Sequence, residues 1–345
     1  MKDMIARIRP VDEAVRSATE QLLDAKTKPR RSLGRLEDIA AQIAAVRGAM
    51  PGGLEAAIVV AAGDHGVAAE GVSAYPQEVT AQMVLNFAGG GAAINVLARQ
   101  ADARLIVVDA GVATPVEHEL VRPLRFGPGT ANLAVGPAMS LELATTAVLA
   151  GAAIVDELEG VDAIGLGEMG IGNTTSASAL AAVLLGIEPG LVCGRGTGLD
   201  DEGVARKAAT VRRALEVNGV DPADPLSVLA ALGGFEIAVL VGVALGCAVN
   251  RVVCVLDGFI TGAAALVAAR LAPDAVGVMV AAHRSTEPGH RIVLEALGLE
   301  PVLDLGLRLG EGSGAALALP VLRAAVAIAN EMATFADAGV TDAGR

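Results

Sequence analysis

Four segments of this chain carry residues able to do chemistry. One runs Gly165-Leu166-Gly167-Glu168-Met169-Gly170-Ile171-Gly172-Asn173-Thr174-Thr175, between a strand-like stretch and a helical one. Small residues let the backbone turn tightly with N–H groups pointing outward, and Asn173 or Thr174 can cap the helix. A helix N-terminus of this kind is an anion site, and a 5′-phosphate is the anion expected. Gly165, Gly167 and Gly170 also satisfy the dinucleotide spacing GxGxxG. Against that reading, Glu168 inside the turn would face a pyrophosphate unfavourably. A turn needed only for packing is the third reading. A further segment is Asp304-Leu305-Gly306-Leu307-Arg308-Leu309-Gly310-Glu311-Gly312-Ser313-Gly314. A carboxylate at Glu311, beside apolar Leu309 and away from bulk water, would have the raised proton affinity of a general base. The alternative is an acid favoured by the dipole of the next helix.

The remaining two segments offer contacts. Gly194-Arg195-Gly196-Thr197-Gly198-Leu199-Asp200 lies between apolar and helical stretches, and Lys207 further along can reach back toward an anion or stand in solvent. Gly63-Asp64-His65-Gly66 is followed by Tyr75, the one tyrosine of the chain, and by Gln82. A loop tyrosine with a glutamine about two turns on can stack on and hydrogen-bond a flat heterocycle, or simply cover the core edge. His65 sits in a strand-end loop as a candidate substrate contact, and His118 reads as a surface residue. His283 and His290 show no metal-ligand spacing, so neither a metal nor a cofactor is expected.

The elements that must position these groups alternate along the chain. Apolar runs at 56–61, 104–108, 162–165, 191–193, 251–255 and 276–280 read as buried parallel strands, each followed by a helical stretch. The pattern predicts an α/β fold, a Rossmann-like parallel sheet with helices on both faces, whose ligands bind at the carboxyl ends of the strands. Pro76, Ser140 and Asp200-Asp201-Glu202 mark helix starts. A helix over about 11–25 has no preceding strand, and a long Ala-rich run follows Ser313, with a kink or break expected at Pro320. These ends are expected to form a small helical domain, 1–25 with 313–345, beside a large catalytic domain, 26–312.

Composition removes several function classes. The 345 residues are 53% hydrophobic but only 2% aromatic, so the core must be built from Ala, Val, Leu and Ile. A formal charge of -13 argues against nucleic-acid binding, which needs a basic face. Cys193, Cys247 and Cys254 are too few and too unpatterned for a disulfide framework or a zinc site. Leu226–Val249 has the length of a membrane span, but Glu236 and Gly233-Gly234 interrupt it, so it reads as two buried helices and no membrane partner is expected. Met1-Lys2-Asp3-Met4 leads into a charged helical pattern rather than a signal peptide, and the expected location is cytoplasmic.

Taken together and in this order, the segments resemble the nicotinate-nucleotide–dimethylbenzimidazole phosphoribosyltransferase family. The resemblance runs from Lys28-Pro29-Arg30-Arg31-Ser32-Leu33-Gly34 through Gly63-Asp64-His65-Gly66, Tyr75-Pro76-Gln77-Glu78, Gly167–Thr175 and Ala282-His283-Arg284-Ser285 to Glu311-Gly312-Ser313-Gly314. It implies a homodimer that moves the phosphoribosyl group of nicotinate mononucleotide onto 5,6-dimethylbenzimidazole for the cobalamin lower ligand. It implies Glu311 as catalytic base and Glu168 as a second acid. Tyr75, Gln82 and Leu309 would line the benzimidazole pocket. Gly170, Gly172, Asn173 and Thr174 would hold the ribose phosphate, with Lys207, Ser285 and Arg308 as further contributors. Ala74 stands where some relatives carry a serine. Transfer to another base or a phenol, and an NAD-binding oxidoreductase built on the GxGxxG turn, are the alternative readings.

Overall fold

The computed structural model describes residues 1–341. Helices α1 (Lys2–Ile5), α2 (Glu13–Asp24) and α3 (Arg35–Arg47) precede strand β1 (Ala56–Gly63). Helices α4 (Val79–Ala88) and α5 (Ala93–Gln100) lead to β2 (Ala103–Gly111), β3 (Val121–Pro123) and α6 (Leu141–Asp156). Next come β4 (Ala163–Met169), α7 (Asn173–Leu185), α8 (Asp201–Asn218), α9 (Pro225–Leu232) and α10 (Phe235–Asn250). The chain closes with β5 (Val253–Leu256), α11 (Phe259–Leu271), β6 (Met279–Ala281), α12 (Pro288–Leu297), α13 (Ser313–Glu331) and α14 (Phe335–Ala338).

The strands form one parallel sheet in the order β3-β2-β1-β4-β5-β6. β1 is buried along its whole length, which is why its sequence is continuously apolar rather than alternating. After β1 the chain builds outward through β2 and β3, then returns to lay β4 against the other edge of β1. The strand order therefore reverses between β1 and β4, the kind of switch point near which open parallel sheets bind their ligands.

Glycine and alanine bring the layers close. Helices α6 and α10 touch backbone to backbone: a Cβ on Gly242 would lie 1.9 Å from the Val148 carbonyl oxygen, and one on Gly151 would lie 2.0 Å from that of Val239. The segment 226–249 divides as its sequence predicts, into α9 and α10 at Gly233-Gly234, with Glu236 buried inside. By length and composition Val79–Gln100 and Ser313–Glu331 would also pass as spans. The first is broken between α4 and α5, and the second packs against α3, α5 and the sheet.

The chain ends meet, with Lys26 bridging Thr334 and the Thr27 N–H donating to the Ala333 carbonyl at 3.0 Å. The apolar cluster is continuous from Leu23 and Ile43 through Val60 to Leu319. Residues 342–345 of the expected helical domain lie outside the described residues.

Several elements differ from the sequence reading. Residues 191–193 are not a strand: Pro189–Leu191 is a 3₁₀ turn, and β4 is already paired on both edges by β1 and β5. Most of 276–280 is likewise a 3₁₀ turn, with β6 beginning at Met279. Pro76 precedes the first helical residue, Val79, by three positions. Helix α13 continues through Pro320, which sits on its exposed side while the opposite side is held in the core.

Gly242→Ala is expected to destabilise the fold by about 1–3 kcal/mol, the usual cost of overpacking, because two helix backbones must separate. A denaturant midpoint equal to that of the wild type would show that α6 and α10 do not meet this closely.

Candidate active site

A cleft of about 790 Å³ opens at the carboxyl ends of β4, β5 and β6, within the usual size range of small-molecule sites. Its floor is residues 168–171, Asn173 and Thr174 together with Gly258-Phe259-Ile260. Tyr75, Val79 and Met83 form one wall, and 306–311 form another. Tyr75 and Leu309 are each 55% exposed and stand at the opening, where an aromatic ring and an aliphatic side chain can take a flat apolar ligand.

Glu311 enters the cleft from an unusual backbone. Its φ is +63°, between Gly310 at +83° and Gly312 at +88°, a run of left-handed residues that glycine tolerates and glutamate rarely adopts. The loop lies directly on β4, since a Cβ on Gly167 would fall 2.4 Å from the Glu311 carbonyl oxygen. The Glu311 side chain is buried, and its Oε2 accepts one long hydrogen bond, 3.4 Å, from the Ile94 N–H in the first turn of α5. Burial raises the Glu311 carboxyl above the ordinary range, and the Ile94 N–H offsets part of the rise.

Glu168, at the end of β4, is driven further. Burial, followed by the charge of Asp257, pushes its carboxyl up to about 8, and Glu236 and Glu311 add to the rise. The Asn173 side-chain amide donates to Glu168 Oε2 and opposes it. Its Oε1 lies over Gly310, where a Cβ would stand 2.3 Å away. Asp257, immediately after β5, is pushed to about 7, chiefly by burial. Near neutral pH, Glu168 therefore retains its proton beside a carboxylate cluster.

The other end of the cleft suits an anion. Helix α7 starts after Gly172, at φ +99°, and no side chain caps it. Asn173 and Thr174 do not act as caps: Asn173 is the first helical residue, and its amide serves Glu168 instead. Around this start the Ile171 N–H donates to Thr80 Oγ1 at 3.1 Å, that of Asn173 to the Gly170 carbonyl at 3.1 Å and that of Thr175 to the Gly172 carbonyl at 3.0 Å. The Thr174 end of the turn, which lines the cleft, is therefore the part left to meet a phosphate. The three glycines of the GxGxxG spacing do different work from a dinucleotide turn. Gly165 and Gly167 lie inside β4 against Ala315 and Glu311, and a Cβ on Gly170 would be 2.3 Å from the Gly63 carbonyl oxygen.

Tyr75, Glu168, Gly170, Asn173 and Thr174 line this cleft, as do Ser285, Arg308, Leu309 and Glu311. Gly172 is placed behind the turn against His65. Gln82 is exposed and absent from the lining, because Val79 and Met83 form the facing stripe of α4. Lys207 is a correction of a different kind. It is fully buried, and its ammonium donates to the Gly194 carbonyl at 3.0 Å and to Thr174 Oγ1 at 3.2 Å, so it supports the lining from behind. His65 is likewise buried, bonded through Nε2 to Glu236 at 2.6 Å and through Nδ1 to Ser176 at 3.0 Å. Beside Ala74, whose N–H donates to Thr197 Oγ1, the cleft gains the hydroxyl of Thr197.

The family model described as phosphoribosyltransferase matches residues 8–340. A nicotinate-nucleotide–dimethylbenzimidazole phosphoribosyltransferase of Desulforudis audaxviator is 52% identical, covering 99% of this chain and 98% of its own. The chain belongs to the nicotinate-nucleotide–dimethylbenzimidazole phosphoribosyltransferase family. A member of this family from Roseiflexus sp. is 52% identical over 99% of this chain and 98% of its own. The crystal structure of CobT from Thermus thermophilus superposes with a TM-score of 0.92 at 50% identity, covering 95% of this chain and 99% of that one.

The sequence reading of this family member passed over Asp257, Glu287 and Thr197. Asp257 had a usable signal, an acid followed by glycine directly after an apolar strand. Glu287 lines the cleft and accepts from the Gly196 N–H at 2.9 Å, a pairing 91 residues apart that nothing local marks.

The raised carboxyls have a consequence for stability. Folding moves Glu168 from 4.5 to about 8, so across that window the folded chain binds more protons than the unfolded one and stability falls as pH rises. The melting temperature is expected to drop between about pH 5 and pH 8, and to drop less in Glu168→Gln. Equal slopes in the two proteins would mean that Glu168 is not held protonated.

Proposed function

We propose that this chain transfers the 5-phosphoribosyl group of nicotinate mononucleotide to 5,6-dimethylbenzimidazole, giving α-ribazole 5′-phosphate and nicotinate. The observation that carries this reading is the meeting of Glu311 and the N-terminus of α7 in one cleft.

The phosphate sits at the start of α7, beside Gly170 and Thr174, which fixes the ribose over the floor. The C1′–N bond breaks with its electron pair going to the pyridinium nitrogen, so the leaving ring needs no proton. The sugar gains positive charge next to Glu168 and Glu311, with Asp257 behind them, in a site whose lining holds a single Lys or Arg, Arg308, among the described residues. The benzimidazole, slotted between Tyr75 and Leu309, attacks C1′ from the opposite face and inverts β to α. Its second ring nitrogen then loses its proton to Glu311. Glu168, protonated up to about pH 8, stays a neutral neighbour of the turn that carries Glu311, and its ionisation limits activity at higher pH. Positioning two substrates in this manner supplies roughly 7–11 kcal/mol of the barrier.

The same reading has the chain working as a homodimer, supported by the exposed Leu85 and Val96 on neighbouring helices beside the cleft; a sedimentation mass of one chain would count against it.

Incubation with both substrates should yield the α-riboside phosphate by mass analysis. Glu311→Gln should still bind the nucleotide while kcat falls by about 10²–10⁴, the contribution of a general base. Normal turnover in that variant would remove Glu311 from this role.

A further inference from the structure

Asp257 is buried at the end of β5 and does not line the cleft, although the next residue, Gly258, does. Helix α13 has a glycine at its N-cap and no side chain of its own to satisfy its first N–H groups. Asp257 supplies that cap from a different element. Its Oδ1 accepts from the Gly314 N–H at 2.6 Å and the Ala315 N–H at 3.1 Å, and its Oδ2 accepts from the Gly312 N–H at 3.2 Å.

The third of these bonds matters most. The Gly312 N–H belongs to the peptide that follows Glu311, so Asp257 holds one side of that peptide while Gly167 of β4 closes on the other. One backbone hydrogen bond closes these three left-handed residues, from the Ser313 N–H to the Gly310 carbonyl at 3.0 Å, and such a backbone persists only when its surroundings over-determine it. Among the described residues, Asp257 is the one side chain hydrogen-bonded to the backbone of this turn and the start of α13.

We infer that Asp257 is the positioning residue for Glu311, fixing the turn that carries the base and keeping negative charge beside Glu168. This rests on the reading of Glu311 as the base. The groups facing Asp257 are Glu311 from the turn, Glu168 from β4, and His283 after β6, whose Nε2 is 3.7 Å from Asp257 Oδ1. Glu311 and Glu168 are acids that a charge on Asp257 discourages from ionising. Replacing that charge by a neutral amide removes an acceptor from the turn and lowers the proton affinity of Glu168 together.

The test is steady-state kinetics on Asp257→Asn, Asp257→Glu, Glu311→Gln and the Asp257→Asn/Glu311→Gln double variant, each across pH. In Asp257→Asn, kcat should fall by about 100-fold, the cost of a misplaced catalytic group, with KM for nicotinate mononucleotide unchanged. The alkaline limb near pH 8 should move to lower pH. The double variant should be no slower than Glu311→Gln, because Asp257 acts through a group already removed. Asp257→Glu retains charge but displaces the oxygens, so kcat should fall while the alkaline limb stays. If Asp257→Asn does not fold, Asp257→Glu decides alone, and wild-type kcat in it overturns the inference. An impaired Glu311→Gln whose loss multiplies with that of Asp257→Asn also overturns it, leaving the base reading intact. Normal turnover in Glu311→Gln removes both.

Discussion

A carboxylate becomes a base at neutral pH when water is kept from it and its oxygens are held in place, and here one close backbone contact meets both conditions. The turn 310–312 lies on β4 at a distance that a single methyl group on Gly167 would forbid. Because β4 is a central strand covered by helices, the carboxylate brought down onto it is dry. The glycines on either side of Glu311 serve the same contact, since their left-handed backbone is what folds the chain back toward the strand. Burial, strain and proton affinity at Glu311 therefore share a cause.

Charge follows from the same geometry. Bringing α13 against β4 and β5 gathers Glu311, Glu168 and Asp257, while Glu236 is buried behind them. Such a cluster repels anions, yet the proposed substrate carries a phosphate. The two are reconciled by distance along the cleft: the phosphate end is built at a helix start without a side-chain cap, and Glu168 and Glu311, with Asp257 behind them, face the ring that is positively charged. An acidic protein can bind an anionic nucleotide in this arrangement without a basic patch.

The fold was legible where local pattern decides it. β1, β2, β4 and β5 are apolar runs because both sheet faces are covered, and that signal survives in a single sequence. β3, with three residues that include Arg122 and Pro123, carries no such run and exists through pairing with β2 alone. The stretch 191–193 shows the opposite failure, an apolar segment without a strand partner in which Val192 and Cys193 are buried while Leu191 is exposed. At the site, glycine-rich segments marked Glu168, Asn173 and Glu311. They could not mark Lys207 as buried, because its partners Gly194 and Thr174 come from two other segments. The pairing of His65 with Glu236 spans 171 residues, and only the topology that sets α10 beside β1 reveals it.

The most direct measurement of the central claim is a crystal structure of the protein with nicotinate mononucleotide bound. The phosphate should rest at the start of α7, beside Gly170 and Thr174, with the glycosidic carbon turned toward Glu311 and the nicotinate ring over the carboxylate cluster. A phosphate held instead near Arg195 and Arg308, with the sugar out of reach of Glu311, would contradict the account.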